Sequence, residues 1–297
     1  MISLRWLIPP LMLVAWLAGC GEEDEDTPEI LDEFGEHQAQ VAAGDGHTCL
    51  LLEDQDLQCW GDNAFGQASP PIGAFVQLSA GSSHGCAIDI LGQIFCWGNP
   101  ASQRSSSPSG TYIKVSAGST HNCAIELGGS LHCWGGGDHS EVPSGDFQDV
   151  SAGHAHSCGV DTDGALHCWG ADVFGQASPP PGQFSSVSVG ARHSCALTAA
   201  GHIQCWGVGD DNDDPQQEFP VDAPPGEFIA LSVGHDHSCA ITTDNEIRCW
   251  GDDQWGQSTS EAGAYRSVSA GVRHSCAMTV DGDVRCWGAD DLGQLTP

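Results

Sequence analysis

One unit, Gly-x-x-His-x-Cys followed by nine residues and Cys-Trp-Gly, recurs seven times between about Ala39 and the last residue of this 297-residue chain. Its first cysteines are Cys49, Cys86, Cys123, Cys158, Cys195, Cys239 and Cys276, and its second are Cys59, Cys96, Cys133, Cys168, Cys205, Cys249 and Cys286. Each pair is ten residues apart, and the units start about 37 residues apart with one longer interval after Cys195. A fixed period of this size means a solenoid or a propeller, since one such unit cannot bury its apolar face alone. Phe75–Gly81 and Phe184–Gly190 are short, rich in β-formers and alternate as strands do. Cys195-Ala-Leu-Thr and His202-Ile-Gln-Cys-Trp flank Ala199-Ala200-Gly201, which predicts a three-residue hairpin loop with glycine in the left-handed position. Gly92, Gly129, Gly164 and Gly282 fill the same slot, Asn245 is the next-best residue there, and Gln55 is the exception. About four such strands fit each unit, the size of a propeller blade.

The hairpin sets the cysteines opposite each other at a non-hydrogen-bonded position, where Cα atoms lie roughly 4.5 Å apart, within reach of a disulfide. The expectation is seven disulfides, one within each blade. Of the fifteen cysteines this leaves Cys20. So many cysteines do not suit a reducing cytosol.

The amino terminus agrees with export. Arg5 precedes an apolar run from Trp6 to Leu17, then Ala18 and Gly19 stand directly before Cys20. Leu17-Ala18-Gly19-Cys20 resembles the lipobox of bacterial lipoproteins, which implies a signal peptide over 1–19 and lipidation of Cys20. Residues 20–38 open with Gly21-Glu-Glu-Asp-Glu-Asp and read as an acidic tether, with the repeats at 39–297. Residence at the cell envelope follows, in the outer membrane or at the cell surface, with the membrane reached through the lipid anchor only. With 40 acidic and 8 basic residues the net charge is -32. That balance repels phosphate backbones, so nucleic acid is not an expected partner.

Beyond its period, the recurring Val-Ser-Ala-Gly-x-x-His-Ser-Cys-Ala, then Cys-Trp-Gly, then Phe-Gly-Gln in the first and fourth units, resembles the repeat of the regulator of chromosome condensation family. The resemblance covers about residues 39 to 297 and implies a seven-bladed β-propeller. It also implies framework roles for His47, His84, His121, His156, His193, His237 and His274, and for Trp60, Trp97, Trp134, Trp169, Trp206, Trp250 and Trp287. The cysteine pairs depart from the intracellular members. Family members include a nuclear exchange factor for a small GTPase and secreted bacterial inhibitors of β-lactamases, so the fold leaves activity open. The export signal opposes the exchange role.

The Gly-Gln turn recurs at Gly66-Gln67, Gly175-Gln176, Gly256-Gln257 and Gly293-Gln294. The second, third and fifth units replace it with 99–110, 135–141 and 208–226. These unlike loops are the expected seat of an unknown protein partner, because rigid scaffolds carry function on variable loops. Seven identical histidines argue against catalysis, which needs unlike groups converging once. Zinc at His-x-Cys is set aside, since the cysteines are better placed to bond each other. Among the non-repeated histidines, His37, His132, His139, His154, His167, His202 and His235, two stand two residues before a repeat histidine, and the His154-x-His156 and His235-x-His237 pairs put two imidazoles on one face of a strand or turn, where a transition metal could bind with a partner ligand. Each shares a framework residue, so no metal site is assigned. Asp210-Asp211-Asn212-Asp213-Asp214 lacks EF-hand spacing and reads as a hydrated loop. Trp255 shares its slot with Phe65, Phe174 and Leu292, which reads as packing. The expectation is an all-β, monomeric, non-enzymatic scaffold without cofactors. The alternatives are an inhibitor of a secreted or periplasmic enzyme, or a propeller lyase or hydrolase.

Overall fold

A computed structural model describes residues 38–137, 142–207 and 222–297. The signal peptide, Cys20, nearly all of the tether, His37, His139 and the 210–214 cluster lie outside these residues. Twenty-one described strands form seven antiparallel sheets of three, each contiguous in the chain. Blades 1 to 7 run over Gln40–Gly61, Phe75–Gly98, Tyr112–Gly135, Phe147–Gly170, Ser186–Gly207, Phe228–Gly251 and Tyr265–Gly288. In each, the inner strand lines a central channel, the middle strand begins at the repeat histidine, and the outer strand ends at Trp-Gly.

The expected four strands per blade are three. Beyond Cys-Trp-Gly the chain turns at once, with Gly66 N–H bonding Asn63 O, and then meets Pro70-Pro71 or, in blade 4, Pro179-Pro180-Pro181. Proline has no N–H to give a ladder, so no fourth strand forms there. Loop side chains cover the outer edge instead: Cys96 N–H donates to Ser107 Oγ and Cys249 N–H to Ser260 Oγ, both at 3.0 Å.

The hairpins match their sequence signal. Thr198 N–H bonds His202 O and Gly201 N–H bonds Thr198 O, with Gly201 at φ +80°. Gln55 and Asn245 adopt the same left-handed conformation at φ +72° and +65°, so blade 1 builds the same turn without glycine. All seven cysteine pairs face each other in register and are bonded. Their Cα atoms are 4.0–4.1 Å apart, a little closer than the ideal pair.

The core is seven seams rather than one centre. Between blades 2 and 3, for example, Val76, Ile88 and Ile94 pack against Tyr112, Val115 and Ala124. Clusters of the same kind fill the other six junctions. Hydrogen bonds lace the inner strands together: Ala117 N–H donates to Ser79 Oγ of the blade before, Ala152 N–H to Ser116 Oγ, and Ala43 N–H to Ser269 Oγ across the closure. No described strand is shared between the first and last blades. Closure uses the same kind of inner-strand bond.

The repeat glycine has a specific cause. At one end of the channel, the residue after each glycine donates its N–H to the next blade: Asp45 to Ser82 O, Ser82 to Gly118 O, Ser119 to Gly153 O, His154 to Gly190 O, Ala191 to His235 O, His235 to Gly271 O and Val272 to Gly44 O, at 3.0–3.4 Å. This girdle draws the glycines so close that a Cβ on any one of them would stand 2.3–2.5 Å from the next glycine's carbonyl oxygen. Gly153→Ala is therefore expected to cost about 1–3 kcal/mol through backbone overpacking and to lower the thermal midpoint. Gly128→Ala, whose Cβ meets nothing within 4 Å, is the control. Equal midpoints for the two variants would refute the packing argument.

Candidate functional site

The repeat histidines are seam residues. Each Nε2 from His84 onward meets a polar side chain of the next blade: His84 with Asn122, His121 with Ser157, His156 with Ser194, His193 with Ser238, His237 with Ser275 and His274 with Thr48, at 2.6–2.9 Å. The hydroxyls of Ser194, Ser275 and Thr48 already donate to Gln176 O, Gln257 O and Gln294 O, so there the imidazole donates. Burial lowers His47, His84, His193 and His274 to about 4 and His156 and His237 to about 3, which holds these six rings neutral. The first seam is the exception. Blade 2 has Gly85 where the others have serine, threonine or asparagine, because Trp97 fills the space a side chain there would need. His47 consequently has no hydrogen-bond partner among the described residues. Gln40 instead bonds both Val76 O and Leu78 N–H across this seam.

Because His47 pairs with Gly61 in register, the Gly-x-x-His turns and the turns after Trp-Gly emerge on one face. The Gly-Gln turns act as latches. Buried Gln67 accepts from Phe65 N–H at 2.8 Å and donates to Asp62 at 2.7 Å, while its carbonyl receives the indole N–H of Trp97 from the next blade at 2.9 Å. Gln176, Gln257 and Gln294 do the same for Trp206, Trp287 and, across the closure, Trp60. Blades 2 and 3 lack the turn, and the indole N–H groups of Trp134 and Trp169, which follow them, have no partner among the described residues. In blade 2 the loop 99–110 compensates through Arg104, whose carbonyl accepts from Asn122 and whose guanidinium donates to Ser119 O.

The latch folds its glutamine inward and turns its tip outward. Phe65 is 55 % exposed, Trp255 51 % and Leu292 44 %; in blade 4 the slot residue Phe174 is half-buried, and its neighbour Val173 is 84 % exposed. Reading this slot as packing fits Phe174, which is mostly covered with Arg192 over its ring at 5.5 Å, but only part of Phe65, Trp255 and Leu292; Arg273 lies over the Trp255 ring at 5.4 Å. The same face bears the roots of all three variable loops. Of these, 138–141 and 208–221 fall outside the described residues.

At the centre of this face opens the channel, about 250 Å³ in volume and lined by glycine, serine, alanine, valine and Leu78 together with His154 and His235. Its mouth is ringed by the residues that follow the repeat glycines: Asp45, Ser82, Ser119, His154, Ala191, His235 and Val272. His156 and His237 turn away into the seams, so neither His-x-His pair acts together. The pair the fold makes is His154 with His235, and Asp236, Arg192 and Asp45 stand near it. Sequence reasoning passed over this column. It carried a signal, since framework columns repeat one residue while this one differs almost from blade to blade. The remaining described histidines are engaged singly: His132 with Tyr112, His167 with Asp161 and His202 with Gly226 O.

Seven consecutive matches to the regulator of chromosome condensation (RCC1) repeat cover residues 39–67, 75–102, 112–141, 147–176, 184–214, 228–257 and 265–294. The chain belongs to the RCC1 repeat family. No curated protein sequence matches it. Among solved structures, the ectodomain of the receptor kinase CR4 from Physcomitrella patens is 24 % identical with a TM-score of 0.71, over 84 % of this chain and 73 % of that one. The ectodomain of the Arabidopsis thaliana receptor kinase ACR4 is 23 % identical with a TM-score of 0.66, over 84 % and 96 %. Prp20p from Saccharomyces cerevisiae, described together with its binding to Gsp1p and histones, is 17 % identical with a TM-score of 0.64, over 80 % and 81 %. At these identities the likeness is one of fold. Within this RCC1-repeat ring the disulfides suit an oxidising, extracellular environment. No described helix is long and apolar enough to cross a membrane.

Proposed function

We propose that this protein is a non-enzymatic binding scaffold of the cell envelope, which engages a protein partner through the loop-bearing face. Lipidation at Cys20 and the acidic tether over 20–38 would hold the ring off the membrane, a reading that rests on the Leu17–Cys20 motif. One observation carries the binding role: a stapled ring sets half-open Phe65, Trp255 and Leu292, with Val173, around one face, beside Arg192 and Arg273 in an otherwise acidic chain. Aromatic and arginine side chains on a rigid surface are the usual anchors of protein interfaces. Described relatives of the same fold include a protein reported with its protein-binding properties, which supports the reading by fold alone.

Crosslinking with the oxidised protein against envelope and culture-supernatant proteins should retrieve one dominant partner. Trp255→Ala should weaken the purified complex at least about tenfold, as an anchor worth roughly 2 kcal/mol does, with little change in the thermal midpoint. Unchanged affinity for both Trp255→Ala and a variant lacking 208–226 would place the interface elsewhere. Substrate turnover by the pure protein would favour an enzyme instead.

A further inference from the structure

Two imidazoles from different blades meet over the channel mouth. His154 belongs to blade 4 and His235 to blade 6, and Ala191 is the mouth residue of the blade between them, too small to separate them. The ring centroids are 5.8 Å apart with planes at 72°. With metal–nitrogen bonds of about 2.0–2.1 Å, two imidazoles sharing one ion through their Nε2 atoms have centroids about 5 to 6 Å apart. The observed separation falls in that range without any movement of the strands.

Both rings are held by their other nitrogen. His235 Nδ1 lies 2.6 Å from Asp236 Oδ2; a carboxylate only accepts, so Nδ1 carries the proton, and in the neutral ring Nε2 is the nitrogen left with a lone pair. Asp236 is itself steadied by Arg192, 3.8 Å away. His154 Nδ1 lies 3.1 Å from Ser119 Oγ, which receives a hydrogen bond from Ser82 Oγ at 2.9 Å and can accept a second from the imidazole. A carboxylate or hydroxyl on the far nitrogen is the arrangement that fixes the tautomer and orientation of a metal-binding histidine. The chain's net charge of -32 favours cations over anions around it.

We propose that His154 and His235 together bind one divalent first-row transition-metal ion, of the copper(II) or zinc type, through their Nε2 atoms at the mouth of the channel. Imidazole favours these ions over calcium and magnesium, which take oxygen ligands. No group of three histidine, cysteine or acidic side chains converges among the described residues. The site therefore has two protein ligands, one fewer than the three that open zinc sites ordinarily keep, and its other positions face the channel solvent.

The test titrates the oxidised full chain with copper(II) in the presence of excess calcium, which occupies the surface carboxylates. The expected result is one tight equivalent whose electron paramagnetic resonance spectrum shows coupling to two imidazole nitrogens. His154→Ser and His235→Ser each install the residue that blades 2 and 3 already carry at this position, so the ring should fold normally. Each should weaken that equivalent at least tenfold, and Asp236→Asn should weaken it about 10- to 100-fold by releasing the His235 ring. Absence of a tight equivalent would overturn the proposal. So would a tight equivalent that survives in the His154→Ser/His235→Ser double variant, which would assign the copper to other histidines or to the amino-terminal segment.

Discussion

Complete reduction of the seven disulfides is expected to unfold the ring at ordinary temperature. Each bridge closes a ten-residue hairpin and contributes about 2–3 kcal/mol in the chain-entropy model. Seven together reach roughly 15–20 kcal/mol if they add, beyond the 5–15 kcal/mol by which folded domains ordinarily exceed their unfolded chains. The need for staples follows from the architecture. Each seam holds only a handful of apolar side chains, and the first cysteine of every pair is fully buried. Circular dichroism under increasing denaturant, with and without reductant, measures the effect. Replacing Cys123 and Cys133 together by alanine should remove one increment of about 2–3 kcal/mol. A reduced protein that melts cooperatively at the oxidised midpoint would show that the seams suffice alone.

The second large effect is a loss of stability in mild acid. Six buried histidines have folded values of about 3 or 4 against an unfolded value of 6.5. The folded value is the lower one, so the unfolded chain binds the extra protons. The stability they contribute is complete above pH 6.5 and drains away as the pH falls toward 4 and then 3. A proton taken up on unfolding tilts stability by 1.36 kcal/mol per pH unit. Six at once approach roughly 8 kcal/mol per unit in the middle of that window, so unfolding should begin well above the pH at which carboxylates protonate. Thermal melts between neutrality and pH 5 test this, with disulfides intact. His237→Gln should flatten the slope by about one proton, since an amide can still donate to Ser275. A midpoint that holds steady or climbs from neutrality to pH 5 would mean that the histidines do not govern acid stability.

The two effects come from features that differ in how openly the chain displays them. The cysteine pairing follows from the hairpin: once Gly201 or Asn245 sets a three-residue loop, register places Cys195 against Cys205 and Cys239 against Cys249. The histidine partners are about 37 residues away on another blade. Repetition marks His84 and His156 as framework residues, but their bonds to Asn122 and Ser194 exist only because the ring brings successive blades into contact. Gln67 is similar. Its side chain makes a local turn, yet its purpose includes receiving Trp97 from the following unit.

What the sequence determined by itself is whatever depends on neighbours along the chain. The seven units, their hairpins, the disulfide partners and the propeller class all follow from period, turn residues and short-range register, which act within a few residues and repeat identically. What only the tertiary structure decided depends on how blades meet. Three strands suffice where four were expected, because turns and prolines occupy the outer edge. The repeat glycine is required by the carbonyl of the next blade rather than by a local turn. Most consequentially, His154 and His235 converge although 81 residues separate them. Ring curvature, set by all seven seams together, brings them to one mouth.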